Sequence, residues 1–341
     1  MVTAEAATPS VPAPADPAVL DVVVTDPIIS RFSERLLARA PRHRWRFLAD
    51  APPEVRSRAL AGADVVVCAR MDAKEATACN ARLVQVTGAG LDRVALAALR
   101  PAVVVANTFH HERPIAEHVL MSILALTRRL PAVSGELRAG VWRTIATDDA
   151  VPLHRTLDSM TLGVVGFGGI GRETARLAAA LGMDVMAVRN RPDAPLSKGA
   201  LPRWVGGVGD LPRLLAESDV VVVTVPLNDA TVGLIGPAEF AAMRQDAVLV
   251  NVARGPVVDQ AALYRALVDQ QIGGAAIDVW WGAPEAGRTP PADFPFSELP
   301  NVVLTPHYSG HARSTFELRA DDIAGNVNRV AAGEPVRNQV R

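Results

Sequence analysis

"TLGVVGFGGIGRETARLAAALGMDVMAVRN", residues 161–190, holds an apolar run, three glycines spaced Gly166-x-Gly168-x-x-Gly171, an Ala-rich stretch of helical length and a second apolar run. Strand, tight turn, helix and strand in that order predict a βαβ unit. The first glycine permits the turn, the second lets the main chain approach a pyrophosphate, and the third lets helix and strand pack closely. The helix start, with Gly169 and Ile170 among the glycines, presents unpaired N–H groups to phosphate oxygens. Three glycines also serve ordinary turns, so it is their place between strand and helix that points to a dinucleotide.

The second strand of such a unit normally ends in an acid that accepts hydrogen bonds from the adenosine ribose hydroxyls of NAD. Here Arg189 follows Gly171 by 18 positions, flanked by Asn190 and Arg191. A guanidinium cannot accept those bonds, but its planar donor fork suits a 2′-phosphate. The loop is therefore expected to prefer NADP(H) over NAD(H). The alternative is two solvated surface arginines beside an indifferent ribose pocket.

Outward from this stretch, short apolar runs alternate with helix-length segments in both directions. Before it come "VLDVVVTD", "WRFLAD", "ADVVVCAR", "LVQVTGAG" and "AVVVANT"; after it come "DVVVVTVP", "AVLVNVA", "GGAAIDV" and "NVVLTP". Val-rich runs bounded by turn residues indicate parallel strands buried on both faces. The chain thus reads as two α/β units of similar type, as its 341 residues allow, since single cores rarely grow past ~250 residues. A helix is expected from Ile115 to Leu130, entered through Pro114 and ended before Pro131. The segment "SGHARSTFELRADDIAGNVNRVAAGEP" is amphipathic at helical spacing and stops at Gly333.

A net charge of -1 gives no electrostatic footprint for nucleic acid or anionic lipid, so neither partner is expected. "IAEHVLMSILALT" carries Glu117 and His118 and is too short to span a bilayer. The two cysteines, Cys68 and Cys79, are too few for a disulfide framework, and a reducing cytoplasm is the expected compartment. Residues 1–17, Ala- and Pro-rich without the pattern of a secretory signal, read as a disordered tail. His43, His110, His111, His118, His154 and His311 show no metal-ligand spacing, and no metal is expected.

With "GFGGIG" in place, "TGAGLDRVAL", "IAEHVL", "DVVVVTVPLNDATVGLIG", "NVARGPVVDQAAL", "AAIDVW" and "LPNVVLTPHYSG" resemble, in order, the D-isomer-specific 2-hydroxyacid dehydrogenases over about residues 20–338. The resemblance implies a Rossmann cofactor domain, 113–307, inserted in a flavodoxin-like discontinuous substrate domain, 18–112 and 308–341, with the reaction in the cleft between them. It implies hydride transfer between NADP(H) and a small 2-oxo or 2-hydroxy acid, such as glyoxylate or hydroxypyruvate, by a homodimer joined through the cofactor domain. Arg254 matches the family arginine that binds the substrate carboxylate, and His307 the acid/base histidine. Gly88, Ala89 and Gly90 match the loop whose N–H groups hold that carboxylate. Asp278 matches the aspartate at the nicotinamide end; Val225, Pro226, Thr231, Val252, Ala253, His307 and Gly310 fall where the family touches cofactor.

The pattern fails at one place. Most members carry a glutamate five residues after the aspartate, bonded to the histidine; here that position is Ala283. Glu285, in a longer connection, is one candidate for the vacant role. "DVWW" also resembles the formate dehydrogenase branch, whose amide partner has no Asn or Gln counterpart here. Trp280 and Trp281 either wall the pocket or pack between domains. Two other functions stay open: oxidation of formate or phosphite, and non-catalytic dinucleotide sensing.

Overall fold

The computed structural model describes residues 18–196, 202–283 and 291–341. The tail 1–17 and Glu285 lie outside the described residues. The chain divides into two compact units: the residues up to Phe109 together with Phe316–Arg341, and His110–Thr315.

The first unit contains β1 (Asp21–Val24), β2 (Arg44–Phe47), β3 (Val65–Cys68), β4 (Leu83–Val86) and β5 (Val104–Ala106). They form one parallel sheet in the order β2-β1-β3-β4-β5, the flavodoxin-like arrangement. Alternate residues of each central strand feed opposite cores. Val65 and Val67 join Ile323, Ala324 and Val327 of the C-terminal helix, whereas Val66 and Cys68 join Leu60, Ala76 and Leu99.

The second unit contains β6 (Thr161–Val165), β7 (Asp184–Val188), β8 (Trp204–Gly206), β9 (Val220–Val223), β10 (Val248–Asn251), β11 (Gly274–Ile277) and β12 (Val302–Leu304). All pair in parallel, in the order β12-β11-β10-β9-β6-β7-β8, which is the Rossmann order with one strand added. Both faces are again apolar: Val220 and Val222 point into one cluster and Val221 and Val223 into the other. The four-valine run of β9 is therefore buried throughout, as a central parallel strand requires.

The helices include α1 (Glu112–Thr127), α2 (Leu130–Arg138), α3 (Gly169–Ala180) and α4 (Arg313–Ala332). The single helix expected from Ile115 to Leu130 is thus two: α1 begins earlier and ends at Thr127, Arg129 adopts a left-handed φ of 50°, and Pro131 opens α2. Proline suits a first helical turn, where its missing N–H has no intrahelical partner to lose. Helix α4 ends as expected, with Gly333 at φ 71° just beyond it. Among the described residues, no helix is long and apolar enough to cross a membrane.

Candidate active site

Because every strand of the second unit runs the same way, the loops leaving their carboxyl ends share one edge of the sheet. Strands β6 and β9 are neighbours there, although the chain visits β7 and β8 between them. That reversal opens a crevice where ligands of open α/β sheets bind.

The glycine loop leaves β6 at this point. Gly166 has a φ of 95°, and a Cβ on it would lie 2.8 Å from Val225 Cγ1. A Cβ on Gly171 would lie 2.2 Å from the Gly166 carbonyl oxygen, so no side chain fits where α3 meets the loop. Around Gly168 the position of a Cβ is open, with nothing within 4 Å. Gly168 is also the residue before α3, whose first N–H groups it leaves uncapped by any side chain. The Thr224 hydroxyl, at the end of β9, donates to the Gly166 carbonyl, with the Val165 carbonyl 3.3 Å away, and ties the two loops together. The cradle fits a pyrophosphate: tight where helix packs on loop and open at Gly168, with the Glu112 side chain against Gly169 beside it.

Arg189 follows β7, half-buried, and its backbone N–H donates to Gly206 O at 3.0 Å. Its Nη2 donates to the carbonyls of Pro192 (2.9 Å) and Ala194, within its own loop. Its Nε is buried with no acceptor among the described residues. Asn190 and Arg191 are exposed beside it. In the loop after β9, the Thr231 hydroxyl donates to Pro226 O at 2.6 Å, so it braces its own turn.

Arg254 leaves β10 half-buried, with Val252 and Ala253 buried before it. The turn is held by Asn251, itself buried: Nδ2 donates to Arg254 O at 3.0 Å, and Oδ1 accepts from Ala253 N at 3.1 Å. Arg254 Nη1 donates to Ala253 O at 2.8 Å.

Asp278 leaves β11 and is 1% exposed. Its carboxylate accepts from Thr305 Oγ1 (2.6 Å), Tyr308 N (2.9 Å) and Ser309 N (3.2 Å). Three donors offset the cost of burying the charge. They also bracket His307, which follows β12, is exposed, and has a φ of 56°. A left-handed conformation costs a residue with a side chain on the order of 1 kcal/mol, so the surrounding bonds must hold it. From the other side, Trp280 Nε1 donates to Thr305 O at 2.9 Å. Trp281 donates to Val258 O and stacks on Phe296, with ring centroids 5.4 Å apart. Both indoles therefore pack within the second unit's own core. Gly310 lies against His111 and Ile115 of the α1 region, and Ala283 is exposed.

In the first unit, Gly88, Ala89 and Gly90 follow β4 and are half-buried. Asn107 Nδ2 donates to Ala89 O at 2.9 Å, and Thr108 N to Gly88 O at 3.3 Å. The Thr87 hydroxyl donates to buried Asp26, whose carboxylate also caps the helix beginning at Pro27.

The family model for the D-isomer specific 2-hydroxyacid dehydrogenase NAD binding domain matches residues 120–309, more than half of the chain. This chain belongs to the D-isomer specific 2-hydroxyacid dehydrogenase family. It is 33% identical over 262 residues to glycerate dehydrogenase of Methylorubrum extorquens, covering 74% of this chain and 77% of that one. Among solved structures it is similar to a D-isomer specific 2-hydroxyacid dehydrogenase of Xanthobacter autotrophicus in complex with NADPH, at 29% identity and a TM-score of 0.76, covering 95% and 98% of the two chains. It is also similar to an NADPH-dependent glyoxylate/hydroxypyruvate reductase of Sinorhizobium meliloti, in complex with NADP and sulfate, at 25% identity and a TM-score of 0.75, covering 94% and 98%.

Sequence reasoning passed over Asn251, Thr224 and Thr305 in this dehydrogenase site. Each is a short polar residue closing an apolar strand, which is the one signal that could have found them. Replacing Asn251 with Ala takes the side-chain partner from both Arg254 O and Ala253 N–H. The expected cost is about 1–3 kcal/mol in urea unfolding, with faster amide hydrogen exchange over residues 252–255; unchanged exchange there would show that Asn251 does not hold the turn.

Proposed function

We propose that this dehydrogenase transfers a hydride between NADP(H) and a small 2-oxo or 2-hydroxy acid of the D series, with glyoxylate and hydroxypyruvate the first substrates to test. The observation that carries this reading is a pinned arginine and a bracketed histidine, Arg254 and His307, on loops from one sheet edge. In this reading the Arg254 fork binds the substrate carboxylate and polarises the adjacent carbonyl. Backbone N–H groups of Gly88, Ala89 and Gly90 bind the same carboxylate. His307 gives its proton to the carbonyl oxygen during reduction and takes it back during oxidation, as a group with a reference pKa near ~6.5 is suited to do. The nicotinamide, when bound, supplies the hydride. Gly166, Gly168, Gly169, Ile170 and Gly171 hold the pyrophosphate, and Val225, Pro226, Thr231, Val252, Ala253, Asp278 and Gly310 flank the cofactor.

Preference for NADP(H) rests on Arg189, Asn190 and Arg191. The Arg189 Nε, without an acceptor among the described residues, is a donor that a 2′-phosphate would satisfy once the guanidinium turns out of its loop. The Xanthobacter and Sinorhizobium proteins, both in complex with NADP(H), are similar over nearly the whole chain. The glycerate dehydrogenase and the glyoxylate/hydroxypyruvate reductase support two- and three-carbon acids. Free, buried Cys68 and Cys79 accord with a cytoplasmic enzyme.

A homodimer is part of the proposal. Helix α2 buries none of its residues, and the following segment exposes Trp142 (74%) and Leu153 (81%). Large apolar side chains left open along one segment of a chain are what a second copy covers.

Two measurements test these claims. Loss of absorbance at 340 nm should follow addition of glyoxylate or hydroxypyruvate with NADPH, at a kcat/KM about tenfold or more above that with NADH, and Arg189→Asp should shift the preference towards NADH. Equal use of both cofactors by both proteins would remove Arg189 from the choice. NADP+ reduction by formate or phosphite would assign those anions, and cofactor binding without any turnover would favour sensing. Sedimentation should show a dimer that Trp142→Glu with Leu137→Glu converts to monomer; an unaltered dimer would place the interface elsewhere.

A further inference from the structure

His118 is 8% exposed and lies on the buried face of α1, in line with Ile115, Val119, Ser122 and Leu126. A leucine would fill that place without the desolvation cost of an imidazole. Its Nε2 is 3.4 Å from Thr305 Oγ1, and its ring meets Tyr308 edge to face at 5.7 Å. It therefore touches the residues two before and one after His307.

Thr305 has one hydroxyl proton, and the 2.6 Å contact with the Asp278 carboxylate commits it there, since a carboxylate only accepts. The Thr305 oxygen can then only accept from His118, so the imidazole carries its proton on Nε2. Burial holds His118 below the ordinary histidine value, partly offset by the Asp278 charge, and keeps it neutral at pH 7. The donor chain runs from His118 through Thr305 to Asp278, and Asp278 then takes the amides of Tyr308 and Ser309.

We propose that His118 is a positioning residue for the reaction: through Thr305 and Asp278 it fixes the left-handed turn that aims His307. This rests on the function proposed above for His307. Its action is on the backbone around His307 and not on the ring.

The test compares His118→Phe, which keeps the ring volume and removes the N–H, with His118→Gln, whose amide returns a donor at similar reach. With NADPH and hydroxypyruvate, the Phe variant should lose between about 10- and 100-fold in kcat, with KM and the NADPH Kd within about twofold of wild type. The Gln variant should recover most of the loss. In the NADPH-bound protein, exchange of the Tyr308 and Ser309 amides should be faster in the Phe variant and near wild type in the Gln variant. Wild-type kcat in the Phe variant, or equal losses in both variants with lowered thermal midpoints, would overturn the proposal. If wild type turns over no oxo acid, the functional reading fails by itself. Amide exchange still decides the part played by His118, and unchanged exchange in the Phe variant would overturn it.

Discussion

Parallel pairing is the constraint on which the second unit depends. It sends the loops after β6, β7, β9, β10, β11 and β12 to one edge, and the residues proposed to bind cofactor or substrate in that unit lie on these loops or, for Gly169, Ile170 and Gly171, in the first turn of α3 that follows β6. Parallel strands need crossovers and therefore helices on both faces, so the strands must be apolar throughout. Chemistry is confined to the strand ends, where the apolar runs stop at Gly166, Arg189, Thr224, Asn251, Asp278 and Thr305.

At that edge a buried polar residue holds the turn of each reactive one. Asn251 closes the turn that presents Arg254, and Asp278 gathers Thr305, Tyr308 and Ser309 around His307. Buried polar groups with all bonds made are rigid because each alternative arrangement strands a donor or an acceptor. A guanidinium and an imidazole left to long side chains and free loops would lack the placement that hydride and proton transfer demand.

Much of this was legible in the residues. The glycine loop and the alternating strands follow from spacing and periodicity, and Gly333 marks the end of α4. Strand β8 was missed because Trp204–Gly206 is three residues long and has no apolar run. The break between α1 and α2 was misread because Pro131 can end one helix or begin another, and only the left-handed Arg129 decides. The partners of Asp278 lie up to 31 positions away in the chain, so no local pattern marks them. His118 was passed over with five other histidines for the same reason: its contact with Thr305 spans 187 positions. Arg189 shows the opposite limit, since its residue type was informative while its turn into the Pro192 and Ala194 carbonyls was not.

The central claim is that the edge where β6 meets β9 holds a nicotinamide dinucleotide on the Gly166–Gly171 loop. Isothermal titration of the protein with NADPH and with NADH measures this directly. One saturable site per chain is expected for at least one of the two, lost in Gly171→Val, because a Cβ there would stand 2.2 Å from the Gly166 carbonyl oxygen. Absence of binding heat for both nucleotides with the wild-type protein, or undiminished affinity in the valine variant, would contradict it.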